Sequence, residues 1–268
     1  MDQPQLFSVE RLGAADVGRL DAPRLLHASP TTHHHGVVAG ARPVAVIAAL
    51  DEEAQALVRR MPRSESVGPH VLIWEAGGLV VIVAGVGKVA AAIAAQYACD
   101  VFKPRCIIAI GLAGELESRA RRGRVVVASG AIQHDIDARP LTDTKGVIPG
   151  LGIRLIEADS AVSEMLLRAA RYKAEDAQAG LVLTGDQIVT SRQVRDALAR
   201  DFPDAACIDM ETAAVAQVAH QNRVPWSGVR ITSDSADETF DLKGVMGFGA
   251  DTAANLFESI IHAVVDEL

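Results

Sequence analysis

The segment WSGVRITSDSAD, Trp226 to Asp237, carries an apolar, strand-like run into a Ser-Asp pair, Ser233-Asp234. Shortly before it, IDMETAAVA, Ile208 to Ala216, ends a second strand-like run in Asp209 and Glu211 and opens an Ala-rich helix. Open α/β sheets gather ligands at the carboxyl ends of their strands, so two acidic strand ends this close in sequence point to one cleft. The work divides between them: one carboxylate holds a polyol, and the other passes a proton. A third acidic strand end, Asp51-Glu52-Glu53, offers a general base that could activate water. Each motif also has a plainer reading as a helix start. Asp51 and Asp209 would be caps with acids in the first turn behind them, and Ser233-Asp234 would be another cap.

Other motifs carry weaker signals. GVGKVAAA, Gly85 to Ala92, is a glycine turn feeding a helix. It matches neither a Walker A loop nor a full dinucleotide fingerprint, and is read as close strand–helix packing. GLAG, Gly111 to Gly114, is likewise glycine-rich at a strand end. HDID, His134 to Asp137, looks like a metal motif, but one His with two Asp lacks further ligands. His33, His34 and His35 are read as a mobile polar tract rather than a coordination shell.

Such residues need a sheet to position them, and from Pro43 onward the rhythm is regular. Strands are expected at 43–49, 70–76, 79–85, 105–111, 124–134, 180–186, 205–209 and 226–232. Helices are expected at 52–62, 88–102, 160–175, 191–200, 211–222 and 245–267. Short apolar strands alternating with longer helices imply a three-layer α/β/α fold around a mixed, mostly parallel sheet. The interval from Gln133 to Asp159 is an excursion from the core, such as a lid or subunit contact. Residues 1–41 have no clear period and are expected to be an extension that is flexible or lies over the surface, leaving 42–268 as the functional domain.

Bulk properties narrow the function. The 268 residues fit one large α/β domain, and 49% hydrophobic content is ample for its core. A net charge of −8 argues against a duplex nucleic-acid binder, which needs a cationic footprint. Arg119, Arg121, Arg122 and Arg124 make one basic run, read as a solvated loop because no aromatics interleave it. Cys99, Cys106 and Cys207 read as small buried hydrophobes in a reducing cytoplasm. No signal-peptide layout is present at the N-terminus. GGLVVIVAGVGKVAAAIAAQYA is broken by Lys88 and its glycines, so it reads as strand, turn and helix rather than a membrane span.

Five segments resemble, in their order and spacing, the nucleoside phosphorylase/nucleosidase superfamily, and most closely its 5′-methylthioadenosine/S-adenosylhomocysteine nucleosidases. They are VIAALDEEAQAL (46–57), AGVGKVAAA (84–92), AIGLAGEL (109–116), LTGDQIVTS (183–191), and IDMETAAVA followed by VRITSDSAD. The resemblance implies hydrolysis of the N-glycosidic bond of a purine nucleoside, with no cofactor or metal, in a cytoplasmic homodimer. It places the base on Glu53, with Glu52 as the neighbour to separate from it. It sets Ala113 and Gly114 under the nucleoside, where absent side chains let the ligand approach the backbone. Glu211 would accept from the vicinal 2′- and 3′-hydroxyls, and Met210 would pack against the sugar and its 5′ substituent. Asp234 would protonate or hydrogen-bond the purine N7, with Ser233 orienting it. Arg230 would order the acidic network or serve as a structural ion-pair partner.

Two positions depart from those relatives. Leu112 stands where they have Ser, and Ile188, followed by Val189, stands where an adenine-stacking Phe is expected. Backbone hydrogen bonds from Val189 to the purine could persist without the stacking. Two other functions stay open on these residues. One is a phosphorolytic nucleoside phosphorylase with Arg230 recruited to phosphate, and the other is a non-catalytic nucleoside-binding protein. The acidic triplet favours water, since phosphate beside it meets about 4 kcal/mol of repulsion per unit-charge pair at about 4 Å and an effective dielectric of about 20.

Overall fold

Runs of Val and Ile become strands because branched side chains suit a pleat that is covered on both faces. In β1 (Val44–Ala48) and β4 (Leu79–Val83) every position is buried. The computed structural model describes residues 42–64, 71–116 and 122–268. The expected extension 1–41, its histidines, and Arg119 and Arg121 lie outside the described residues.

The other strands are β2 (Arg63–Ser64), β3 (Leu72–Ala76), β5 (Cys106–Glu115), β6 (Val125–Gln133), β7 (Ile156–Glu157), β8 (Gln178–Thr184), β9 (Ala205–Asp209) and β10 (Trp226–Asp234). Together they form one mixed ten-stranded sheet in the order β10-β6-β8-β9-β5-β1-β4-β3-β2, with β7 on β6. An additional β10–β5 pairing closes part of it into a ring: β5, β10, β6, β8, β9 and back to β5. The ten-residue β5 makes this possible. It pairs parallel with β1 and β10 along most of its length, then antiparallel with β9 at Gly114 and Glu115. Closure draws the carboxyl ends of β5, β9 and β10 together.

Among the described residues, seven α-helices cover the sheet: α1 (Asp51–Val58), α2 (Lys88–Tyr97), α3 (Ser160–Lys173), α4 (Arg192–Asp201), α5 (Thr212–Asn222), α6 (Leu242–Phe248) and α7 (Ala254–Val264). Alternation along β1 sends Ala45 and Ile47 to the face packed by α2 and α5, and Val44, Val46 and Ala48 to the face packed by α1, α3 and α7. The α2 and α5 side is built from alanines, which bring helix backbones close to the sheet. The opposite side is filled by larger residues such as Leu166, Phe257 and Ile260, all fully buried. Each contributes about 1.5–3 kcal/mol by leaving water.

The expected three-layer fold is observed, with shifts at the ends. β5 runs four residues past the expected 111, because the ring supplies new partners there. The single helix expected at 245–267 starts at Leu242, where Asp241 caps it by accepting from Gly244 N at 3.0 Å. A π-helical turn over Gly249–Ala253 then separates α6 from α7. No described helix is long and apolar enough to cross a membrane.

Candidate active site

Glu53 is set by the helix start that holds it. The N-cap of α1 is Leu50, in extended backbone, rather than Asp51. That places Glu53 at the third helical position, from which its Oε2 reaches back to accept from Leu50 N and Ala49 N, both at 3.0 Å. Its Oε1 accepts from Leu112 N of β5 at 2.8 Å. Burial raises the carboxyl pKa above its usual value, against the Arg230 charge and these three amides, which pull it down. Glu53 is buried and lines the cleft. Neither Asp51 nor Glu52 does.

Beside it, Arg230 on β10 is 1% exposed. Its Nε donates to Thr212 Oγ1 at 2.7 Å and lies 2.8 Å from Asp209 Oδ2, with which it forms an ion pair. Asp209 ends β9 and is also bonded by Thr184 Oγ1 at 2.5 Å, Thr212 N at 3.0 Å and the Thr212 hydroxyl. A buried ion pair is tolerable only with this degree of satisfaction. The arginine's Nη1 makes no hydrogen bond among the described residues. It occupies the space where a side chain on Gly111 would stand, and a Cβ there would lie 2.9 Å from Glu53 Oε1. Glycine at 111 therefore lets Arg230 and Glu53 converge.

Glu211 sits at the N-cap of α5 without capping it, since Asp209 already satisfies the Thr212 amide. Its Oε1 instead accepts from Gly87 N at 2.9 Å. The glycine turn is thus more than packing: Gly85 and Gly87 take φ of +90° and +100°, and the second aims its amide at Glu211. Burial, then the Asp209 charge, pushes the Glu211 pKa up to about 7.

Asp234 ends β10 past a bulge that pairs it with Gly114. Its Oδ1 accepts from Ala236 N and its Oδ2 from Ser233 Oγ, each at 2.8 Å, and burial raises its pKa. A Cβ at Gly114 would lie 3.4 Å from Asp234 Oδ1 and 3.0 Å from the Ala236 Cβ, so glycine keeps this wall open. Ala113, expected on the same surface, instead packs in the core on the α2 and α5 side of the sheet. Alternation along β5 points its neighbours Leu112 and Gly114 into the cleft and Ala113 away.

Ile188, Val189 and Met210 line the cleft with Leu112. The sequence reading missed Val86, Ile208, Phe240, Leu242, Val245 and Met246, which complete an apolar wall. Leu242, Val245 and Met246 share one face of α6. Their spacing is that of any core-facing helix, so no sequence signal separated them from packing. In HDID, Asp135 pairs with Lys88 and Asp137 with Arg139, while His134 is buried over Gly185. Among the described residues no group of three or more His, Cys, Asp or Glu is placed to hold a metal.

A partly closed α/β sheet presenting three buried carboxylates, Glu53, Asp209 and Glu211, and a half-buried one, Asp234, to one apolar cleft defines a site for a small polar molecule with an apolar part. The chain belongs to the phosphorylase superfamily, whose family model matches residues 43–265. It is similar to the 5′-methylthioadenosine/S-adenosylhomocysteine nucleosidase of Staphylococcus haemolyticus, 28% identical over 82% of this chain and all of the relative. The enzyme of that name from Staphylococcus aureus is 29% identical over 84% of this chain and all of its own. Among solved structures, the 5′-methylthioadenosine/S-adenosylhomocysteine nucleosidase of Neisseria meningitidis in complex with methylthio-immucillin-A superposes with a TM-score of 0.77. That pair is 29% identical, over 85% of this chain and all of that one.

Proposed function

We propose that this protein hydrolyses the N-glycosidic bond of a 5′-thio-substituted adenosine, 5′-methylthioadenosine or S-adenosylhomocysteine, releasing adenine. The observation that carries the reading is the convergence of Glu53, Glu211 and Asp234, from three strand ends, on one cleft. Departure of the base leaves oxocarbenium character on the ribose. Glu53, with its raised pKa, takes the proton from water and directs the oxygen to C1′. Arg230, buried against Gly111, orders the acidic network through its pairing with Asp209 and its charge beside Glu53. Glu211 accepts from the vicinal hydroxyls, with Met210 against the sugar. Asp234, kept protonated more readily by burial, serves N7, and Ser233 fixes its orientation. Ile188 and Val189 form the base wall, and Gly114 lets the nucleoside approach.

Water is favoured over phosphate as the nucleophile. The cleft is lined by Glu53, Asp209, Glu211 and Asp234, and by neither Lys nor Arg among the described residues. Arg230, the nearby cation, is already held by Asp209. The active form is a homodimer, in keeping with the exposed apolar residues Val89 and Ile93 on α2, one turn apart. The three cysteines, unpaired in the structure, suit a cytoplasmic setting.

A base-release assay over a nucleoside panel tests the reading. Adenine should appear from 5′-thioadenosines fastest, and inosine or pyrimidine nucleosides should be poor substrates. Thermal stabilisation by nucleosides with no base released would make this a binding protein instead.

A further inference from the structure

Two motifs lie just outside the proposed chemistry: the glycine turn before α2 and the acidic stretch after β6. In the structure they meet. Successive amides of the turn hold two different carboxylates, Gly87 N donating to Glu211 Oε1 at 2.9 Å and Lys88 N donating to Asp186 Oδ1 at 2.8 Å. The φ of +100° at Gly87, open to glycine, is what lets one turn serve both acceptors. The Lys88 side chain then reaches Asp135, Nζ to Oδ1 at 2.7 Å. Asp135 closes the circuit by accepting from Asp186 N through Oδ2 at 3.0 Å. Asp186 is followed directly by Gln187, Ile188 and Val189, all on the cleft wall, whereas Asp186 itself does not line the cleft.

We infer that Lys88, Asp135 and Asp186 are positioning residues that lock the base-side wall, 187–189, to the turn that aims the sugar-side carboxylate, Glu211. The inference rests on the proposed nucleosidase reading for what the two sides bind. One turn sets both, so a nucleoside meets base wall and sugar acceptor at a fixed separation. That separation matters because misplacement by about 1 Å can cost about 100-fold in rate. The strap is not a stability device. The Lys88 and Asp135 side chains are 17% and 31% exposed, and Asp186 is 50% exposed, where ion pairs contribute little to folding.

The test uses the full chain. Asp186→Ala and Lys88→Met are measured for adenine affinity by calorimetry, and for the preference for a 5′-methylthioriboside over its 2′,3′-dideoxy analogue. Both quantities should fall by about 10-fold, although neither residue touches sugar or base, with little change in melting temperature. Lys88→Arg, which keeps the ion pair, should behave as wild type. Asp137→Asn, which breaks the neighbouring exposed pair with Arg139, is the control and should change neither quantity. Wild-type adenine affinity and riboside preference in Asp186→Ala and Lys88→Met would overturn the inference. So would losses that merely track a lowered melting temperature, or that Asp137→Asn reproduces. If wild type releases no base from any nucleoside, the nucleosidase reading falls, while the binding measurements still decide the strap.

Discussion

Glu53, at the floor of the cleft, and Arg230, buried beside it, are 3% and 1% exposed, whereas Ile188 and Leu242, at its rim, are 51% and 59% exposed. At the floor the carboxylates are held by named partners: three backbone amides on Glu53, and two hydroxyls, an amide and a guanidinium on Asp209. The rim is apolar and has few such constraints. A floor of fixed charges costs no reorganisation when charge develops on the substrate, so the bond-breaking chemistry belongs there. The rim discriminates by contact area alone, which one substitution can retune. The two regions should therefore answer mutation differently.

The largest effect is expected at the floor. Glu53→Gln keeps the shape but cannot take a proton, and should lower kcat by about 10²–10⁴-fold while nucleosides still raise the melting temperature. An inactive Glu52→Gln beside an active Glu53→Gln would move the base by one residue and undo the assignment.

Next comes Glu211. Glu211→Gln should remove about 1.5–3 kcal/mol from riboside binding and spare 2′,3′-dideoxy analogues, as read from the two dissociation constants. Equal losses would make it a structural acceptor for the glycine turn. The same variant has a pH signature. Because the folded pKa, about 7, lies above the unfolded one, the folded state binds the extra proton, and this stabilisation is complete below the unfolded value. It is lost as pH rises through 7. The uncharged Gln should thus raise the melting temperature of the ligand-free protein at pH 8, by progressively less as pH falls, and not below the unfolded value of 4.5.

The smallest effect is expected at the rim. Ile188→Phe should tighten free adenine by about 0.5–1.5 kcal/mol, the usual gain of aromatic pairing beyond area. Unchanged affinity with the fold intact would place Ile188 away from the base.

The same division explains what could be read in advance. The floor announces itself in sequence, because Glu53, Glu211 and Asp234 each follow an apolar run and acids at strand ends are conspicuous. Even there, GLAG does not show which of its residues face the cleft: alternation along β5 sends the Ala113 side chain into the core and turns Leu112 and Gly114 to the cleft. The Gly87 amide was also missed, since a glycine turn reads the same whether it packs a helix or aims a donor. The rim is nearly silent: Val245 and Met246 on α6 have core-like spacing. Ring closure by β10 and β5, which brings the strand ends together, is a long-range pairing that no local pattern encodes.

The account turns on water as the nucleophile, and the sugar product formed in saturating phosphate tests this most directly. The account predicts adenine and the free ribose with its 5-thio substituent intact, at a rate unchanged by phosphate. Formation of the sugar 1-phosphate, with turnover that requires phosphate, would contradict it.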